Sequence, residues 1–567
     1  MLSCQTLKRG LIFGLLAIAS RVGASQKHNC NCFPGDECWP SVSTWNAFNE
    51  SISGRLIKTV PLAIPCHAPY YDENKCEILR NGWNKTYEQY GVVILVSNHA
   101  LTHFQLPIVF LHYGSILYQW DLRPIPPVNI SQPEHVSMAI RFATKHHIRF
   151  IIRNTGHDYN GKSTGAGALA VWMHNLKDIE IKDYNDKHYQ GKSAKLGAGV
   201  QGIEAYRAAD AHGLRILSGA CPSVGIAGGY SQGGGHSMLS SRYGLGADQV
   251  LEWEVIDGTG RFLVATREQN SDLYWALSGG GGGTYGVVWS MTSKAHQGGP
   301  VSGLNLTILT ENNSDDLIYK ALELYNSQLP AIVDEGIMSM GSISNTSFQI
   351  SPMTAPDIPV KKLEIIIQPL RDGLDKLGVR YTWHSEQFES YLDEFDAMMR
   401  SVTVGVAQYG SWLIPRSVVQ EKNDDLTDAI RQVVSNGGKI SLNGMSVSKN
   451  VSGDVYNAVL PAWRDAITHA YLKTTWKFNK PKEMLSNQNK MTRDFVPRLQ
   501  KLAPQSGAYL NEADFRQPNW KAAFYGENYK ALRQIKAKYD PHSIFYGVTA
   551  VGSDEWIVSP SGRMCRA

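Results

Sequence analysis

Between residues 131 and 290 the apolar positions switch repeatedly between a helical and an extended rhythm. Val136, Ala139, Ile140 and Ala143 recur at helical spacing. They follow Ser131-Gln-Pro-Glu134, a capping-box pattern with an early proline, so a helix is predicted to begin there. Arg149-Phe-Ile-Ile152 then reads as a short buried strand, followed by a turn-rich loop over 154–168 and an apolar stretch over 169–173. A second α/β-like stretch covers 195–217. Glycine and small residues dominate 219–246, and a further cluster, Ser278-Gly-Gly-Gly-Gly-Gly-Thr-Tyr-Gly286, precedes strand-like Val287-Val-Trp289. Residues 300–505 differ, with mixed helical and extended patterns and few glycine clusters, and 506–556 return to the earlier aromatic and glycine-bearing character. No internal repeat or low-complexity tract interrupts the chain. The pattern predicts one domain whose two halves are separated by an inserted second domain.

Composition narrows the class. Hydrophobic content of 43% and charged content of 19% in 567 residues are those of a globular chain with a large core. Lys+Arg number 55 against Asp+Glu 51, with no block of like charge, so nothing advertises nucleic-acid binding. The near-neutral balance also argues against strongly acidic or basic substrates.

The N-terminus points to export. Lys8 and Arg9 precede an apolar run over 10–19 and then Val22-Gly23-Ala24, a small-residue cleavage pattern. The run is too short to span a bilayer, so 1–24 reads as a secretory signal peptide, with no membrane association after cleavage. Seven Asn-x-Ser/Thr sequons, at Asn49, Asn84, Asn129, Asn305, Asn312, Asn345 and Asn450, agree with a secreted, N-glycosylated protein. Cleavage would leave Cys30, Cys32, Cys38, Cys66, Cys76, Cys221 and Cys565. Five of these crowd one segment, as in a disulfide-stapled leader to a larger domain. Seven is odd, so one thiol has another fate, and Cys221 is the isolated one. The pairing of the other six is open.

Gly197-Ala-Gly199-Val-Gln-Gly202 is a formal G-x-G-x-x-G before a helical pattern. A dinucleotide fingerprint also needs a buried strand before it and an acidic residue about 20 positions later. Polar residues precede this segment and Cys-Pro-Ser stands near 222, so the Rossmann reading is rejected. Three separate glycine clusters carry more information, because glycine lets backbone approach a ligand and turns N–H groups toward anions. Together they predict an extended, phosphate-bearing cofactor threaded through backbone.

Arg153-Asn-Thr-Gly-His157-Asp-Tyr-Asn-Gly161-Lys-Ser163 resembles the pyrophosphate loop of FAD-binding proteins of the vanillyl-alcohol-oxidase superfamily. Cys221-Pro-Ser-Val-Gly-Ile-Ala-Gly-Gly229 resembles the C-P-[ST]-V-G-x-x-G motif of the berberine-bridge-enzyme branch. Asp272-Leu-Tyr-Trp with its glycine run, Tyr539-Asp-Pro541 with Phe545, and Ala550-Val-Gly-Ser-Asp-Glu-Trp556 are similar too. The likeness extends from about Cys30 to Trp556 and is strongest to secreted fungal members named after isoamyl alcohol oxidase. It implies an α+β fold: a two-lobed, discontinuous PCMH-type FAD-binding domain plus a substrate domain with an antiparallel sheet backed by helices. The expected layout is signal peptide 1–24, a Cys-rich segment 25–115, FAD-binding domain 116–300, substrate domain 301–505, and a return to the FAD domain over 506–567.

The resemblance also implies residue roles. FAD would be held covalently through His157 at the flavin 8α carbon and Cys221 at flavin C6, which accounts for the odd cysteine. Arg153, Asn154, Thr155, Gly156, Asp158, Gly161, Ser163, Val224, Gly225, Gly228, Gly229 and Asn511 would complete the cofactor site. In plant relatives the residue matching Val224 gates oxygen, and a small side chain there accompanies oxidase behaviour; simple packing is the equal alternative. The family carries its base near a Y-x-N-type motif, here Tyr509-Leu-Asn-Glu512. Glu512 stands where plant relatives usually have tyrosine; it reads as a base or acid if buried, or as a solvated strand residue, and Tyr509 and Glu512 are the candidate catalytic residues. A phenol, normally titrating near pH ~10, would need a cationic neighbour or the flavin itself to act so. His236 reads as a backbone-satisfying histidine or a substrate contact. Tyr409 and Trp412 read as core aromatics before cavity-lining ones. No cluster of acids and histidines has convincing metal-ligand spacing, so no metal is expected.

The implied activity is a secreted FAD-dependent oxidase that takes a hydride from an alcohol or activated C–H of a small molecule and passes electrons to O2. Alternatives are a redox-neutral isomerase or cyclase on the same flavin fold, or a secreted glycoprotein that only binds a small molecule.

Overall fold

The computed structural model describes residues 30–57, 64–82, 127–399, 407–475 and 480–567. The expected signal peptide and the sequon at Asn84 lie outside these residues.

Three sheets organise the chain. A small parallel sheet has the order β1-β3-β2, from β1 (Pro127–Asn129), β2 (Arg149–Arg153) and β3 (Ala168–Trp172). The helix Pro133–Lys145 connects β1 to β2, burying Val136, Ala139, Ile140 and Ala143, the residues whose spacing predicted it. Its N-cap is Gln132, with no side-chain cap bond, so the helix starts at Pro133 and the expected capping box does not form. Proline suits this position because the first helical N–H has no intrahelical partner.

A five-stranded antiparallel sheet follows, in the order β4-β5-β9-β7-β8. Its strands are β4 (Ile179–Asn185), β5 (Gln190–Gly197), β7 (Val250–Asp257), β8 (Phe262–Ala265) and β9 (Gly286–Lys294); a short ribbon pairs β6 (Leu214–Arg215) with β10 (His296–Gln297). The helix Gly202–Asp210 follows an antiparallel strand, β5, so the G-x-G-x-x-G does not sit in a parallel βαβ unit and the rejection of the Rossmann reading stands.

The third sheet is antiparallel and seven-stranded, with the order β14-β11-β13-β12-β16-β17-β15. It comprises β11 (Val301–Leu309), β12 (Met338–Ile343), β13 (Ser347–Pro356), β14 (Thr382–Phe388), β15 (Ala407–Pro415), β16 (Lys439–Gly444) and β17 (Ala466–Thr475). Helices Asp315–Asp334, Val360–Leu377 and Asn423–Ser435 back one face. Strand alternation fixes which residues look where. A Cβ at Gly410 would meet Val496 and Met491, and one at Gly444 would meet Leu329, so those positions face the helical layer. Tyr409 and Asn443, each one residue from its strand's glycine, and Tyr471, one residue from the Leu472 that pairs with Gly410, face the opposite way. The fold is the expected α+β class, with a helix-backed antiparallel sheet beside a part built on the three- and five-stranded sheets.

Residues after 507 close the structure. Strands β18 (Trp556–Val558) and β19 (Met564–Arg566) form a ribbon. The disulfide Cys30–Cys565 ties it to the N-terminal segment, across 535 residues of sequence. Cys32–Cys38 and Cys66–Cys76 are the other bridges among the described residues, and of the described cysteines Cys221 alone is free. The odd cysteine is therefore the one that the glycine-rich motif carries. Among the described residues no helix is long and apolar enough to cross a membrane.

Candidate active site

A cavity of about 350 Å³ lies between the three- and five-stranded sheets' part of the molecule and the face of the seven-stranded sheet turned away from the helices. One wall is the loop that leaves β2. Its turn needs Gly156, whose φ of +85° is left-handed backbone and whose missing Cβ leaves room for the Arg153 guanidinium. The Asp158 carboxylate accepts from the Lys162 backbone N–H, closing the turn. Burial raises the Asp158 carboxyl and lowers the Lys162 ammonium, each partly opposed by the other's charge. Asn160 Nδ2 donates to the Leu510 carbonyl at 3.0 Å and fastens this loop to the segment carrying Tyr509 and Glu512.

The second wall is the Cys221 loop. Gly202 and Ile203, the first N–H groups of the helix Gly202–Asp210, donate to the carbonyls of Val224 and Pro222, each at 2.9 Å. Gln201 Nε2 donates to the Ser223 carbonyl at 2.8 Å. Helix starts leave such donors unpaired, and here they hold the cysteine loop. A Cβ at Gly202 would come within 2.6 Å of Ser218 Oγ. The G-x-G-x-x-G thus serves close packing of helix and loop.

These two loops bring His157 Nε2 and Cys221 Sγ to 3.9 Å. Ser223 Oγ lies between them, 3.0 Å from the imidazole nitrogen and 3.5 Å from the sulfur. Burial raises the Cys221 thiol, with the Ser223 contacts opposing. The floor comes from the other glycine clusters: a Cβ on Gly282 would lie 2.9 Å from Gly229 Cα. Asn154 Oδ1 and Gln232 Oε1 line the cavity and are buried without a hydrogen-bond partner, a state that buried amides rarely occupy unless something else is bound.

Thr155, Gly156, His157, Asp158, Ser163, Val224, Gly225, Gly228, Gly229 and Asn511 all line the cavity with Asn154 and Cys221. Arg153 and Gly161 do not; they support the loop from beneath and within its turn. Trp412 is fully buried, donating its indole N–H to the Ala503 carbonyl. Tyr409 stacks on Tyr159 at 4.2 Å and on Tyr471 at 5.1 Å, building with them an aromatic wall beside the cavity.

Opposite the His157–Cys221 pair lies a carboxylate between two imidazoles. His236 Nε2 donates to Glu512 Oε2 at 3.2 Å, and His469 Nδ1 is 3.5 Å from the same oxygen. Burial acts to raise Glu512, but the charge and hydrogen bond of His236 outweigh it, leaving the carboxyl below its usual range. Burial pushes His469 down to about 3, so His236 is the main positive neighbour of Glu512 and His469 a lesser one. The Tyr509 hydroxyl accepts from Gly235 N–H at 3.2 Å and from Asn511 Nδ2 at 2.8 Å. Burial and the Glu512 charge raise this phenol above its ordinary value. The two candidate acceptors therefore separate, Glu512 ionised and Tyr509 protonated. His236, His469 and Glu512 have ligand atoms within 4.8 Å of one another, a grouping of metal-ligand type that no spacing in the sequence displays. Sequence reasoning missed His469, Tyr159 and Tyr471. Only the alternation of β17 placed 469 and 471 on one face, and nothing local said which face meets the cavity.

Residues 128–266 match the family described as FAD binding domain, and residues 508–551 match berberine and berberine like. The chain is 43% identical to the FAD-linked oxidoreductase patO of Aspergillus clavatus, covering 95% of this chain and 94% of that protein. It is 38% identical to the bifunctional decalin synthase calF of Penicillium decumbens, over 98% and 99% of the two chains. The crystal structure of the VAO-type flavoprotein MtVAO615 from Myceliophthora thermophila superposes with a TM-score of 0.86 at 38% identity, covering 95% of this chain and all of that one. An enzyme, rather than a scaffold kept only for binding, follows from this relationship. The chain belongs to the berberine-bridge-like FAD-linked oxidoreductases of the vanillyl-alcohol-oxidase superfamily.

Proposed function

We propose that this protein is a secreted oxidase of a small-molecule alcohol, with FAD attached through both His157 and Cys221 and with Glu512 as proton acceptor. The observation that carries the reading is the 3.9 Å approach of His157 Nε2 to Cys221 Sγ in a cavity wall. It matches two attachment points on one edge of a flavin ring. The cradle suits the cofactor's remainder: Lys162 and glycine backbone amides for the diphosphate, and the unpartnered amide oxygens of Asn154 and Gln232 for polar groups. When bound, FAD supplies the hydride acceptor, and O2 removes the two electrons as hydrogen peroxide.

The side chains divide the remaining work. Glu512, ionised, takes the hydroxyl proton as the carbon loses hydride. His236 holds the carboxylate in place and stabilises its charge. Tyr509, kept protonated, offers its O–H to a substrate oxygen and accepts from Gly235 and Asn511. The tyrosine wall of Tyr159, Tyr409 and Tyr471 gives the substrate a flat apolar surface. Val224, packed at the cofactor edge of the cavity, leaves oxygen a passage. Three disulfides support an oxidising compartment, hence secretion after removal of 1–24.

An oxygen-electrode survey of primary and secondary alcohols tests this. Oxygen uptake matched one-to-one by hydrogen peroxide supports the oxidase. The name of the decalin synthase relative favours one second reading, a ring-forming step; conversion of a polyene without oxygen uptake would select it.

A further inference from the structure

Resting on that reading of the cavity, we infer that its outer rim binds a carboxylate, so that the substrate is a flat organic acid carrying the oxidisable hydroxyl at its other end. On the cavity face of the seven-stranded sheet, Ser441 pairs with Tyr471, and both line the cavity. Two residues further along each strand, on the same face, Lys439 stands directly opposite Lys473, and Lys473 opposite Tyr409.

Like charges directly opposite are unfavourable in a sheet. Elsewhere in this chain the equivalent cross-strand position is neutralised: Lys192 faces Asp183 and pairs with it at 2.9 Å. Lys439 and Lys473 have no ion-pair or hydrogen-bond partner among the described residues, and Lys473 is half-buried. The adjoining segments 400–406 and 476–479 contain no Asp or Glu. The near-neutral charge of the whole chain hides this local excess.

The wall between the rim and the reacting end is aromatic, with the stacked rings of Tyr409 and Tyr471 nearly parallel at an interplanar angle of 12°. His469, against Glu512, is four residues from Lys473 on β17, ~13 Å of strand. An acid with a ring system between its carboxylate and its hydroxyl would reach from the lysine pair to Glu512.

The test is calorimetric titration of the purified secreted protein with 2-naphthoate and with its neutral twin 2-naphthylmethanol. Calorimetry reads the rim whether or not flavin is present. A colourless protein that binds naphthoate would therefore sink the oxidase reading, and with it the oxidisable hydroxyl, but keep the carboxylate-binding rim. Lys473→Met should weaken naphthoate about tenfold, ~1.4 kcal/mol, Lys473→Arg should restore it, and raising the salt should mimic the Met variant. Naphthylmethanol should respond to none of these changes. Naphthoate binding that is absent, or indifferent to Lys473→Met and to salt, overturns the inference.

Discussion

Lys536 offers a sharp test of how the C-terminal segment shapes the cavity. Its buried ammonium donates to the Thr284 carbonyl at 3.0 Å, the Phe545 carbonyl at 2.9 Å and the Asp540 carboxylate at 2.8 Å. Asp540 in turn accepts from the backbone N–H groups of Ile544 and Phe545, at 2.9 and 3.0 Å. One ion pair thus ties the glycine cluster of 278–286 to the strand-like stretch carrying Phe545 and Tyr546, both of which line the cavity. Lys536→Met removes the cation and leaves a buried carboxylate unneutralised, a change that costs about 3–5 kcal/mol. With an unfolding entropy of roughly 2.1 cal/mol/K per residue, the ~543 residues left after removal of 1–24, unfolding together, convert this to a fall in Tm of about 3–4 °C. Adding Asp540→Asn removes the stranded charge and should recover at least ~1 kcal/mol, which scanning calorimetry on the single and double variants would detect as coupling. A shift under ~1 °C, or a double variant worse by the sum of the two singles, refutes the account.

Glu512→Gln keeps the contact with His236 but cannot accept a proton, so anaerobic flavin reduction by an alcohol substrate should slow by about 10²–10⁴, while flavin retention is unchanged. Because Glu512 is held below the usual carboxylate range, its basic form is present above that value and lost as pH falls through it. The acid limb of kcat/KM should therefore lie below pH ~4.3, the ordinary glutamate value, and a limb near neutrality would reassign the base. Cys30→Ser should cost about 2–5 kcal/mol, read as a lower Tm, because the bridge to Cys565 joins the chain's two ends. Among the described sequons, Asn312, Asn345 and Asn450 are exposed, while Asn305 has a buried amide oxygen and Asn49 accepts from Leu56 N–H. Glycopeptide mapping should find the first three occupied; glycan on Asn305 with those three bare would contradict the arrangement.

Local patterns carried much of the fold into view. Helical spacing over 136–143 located the helix between β1 and β2, and the glycine loops located walls of the cavity, because both depend on neighbours within a few residues. The start of that helix was misplaced by one residue, since Pro133 at the first helical position took precedence over a Ser131 cap. His157, Cys221 and Glu512 were recognisable from motifs, but their meeting was not. Residues from four regions of the sequence, including His236 and His469, form the site, and only the order and register of long-range strands bring them together. The same holds for Tyr159, Tyr409 and Tyr471, which no periodicity links. The disulfide between Cys30 and Cys565 was equally hidden, six cysteines being compatible with 15 pairings.

The central claim is that His157 and Cys221 jointly tether a flavin. The most direct measurement is acid precipitation of the secreted protein, with yellow colour followed in the pellet and the supernatant, repeated for His157→Ala, Cys221→Ala and the double variant. Colour should stay in the pellet for the wild type and for each single variant, and leave it only in the double. Release of all flavin from the wild type would contradict the claim.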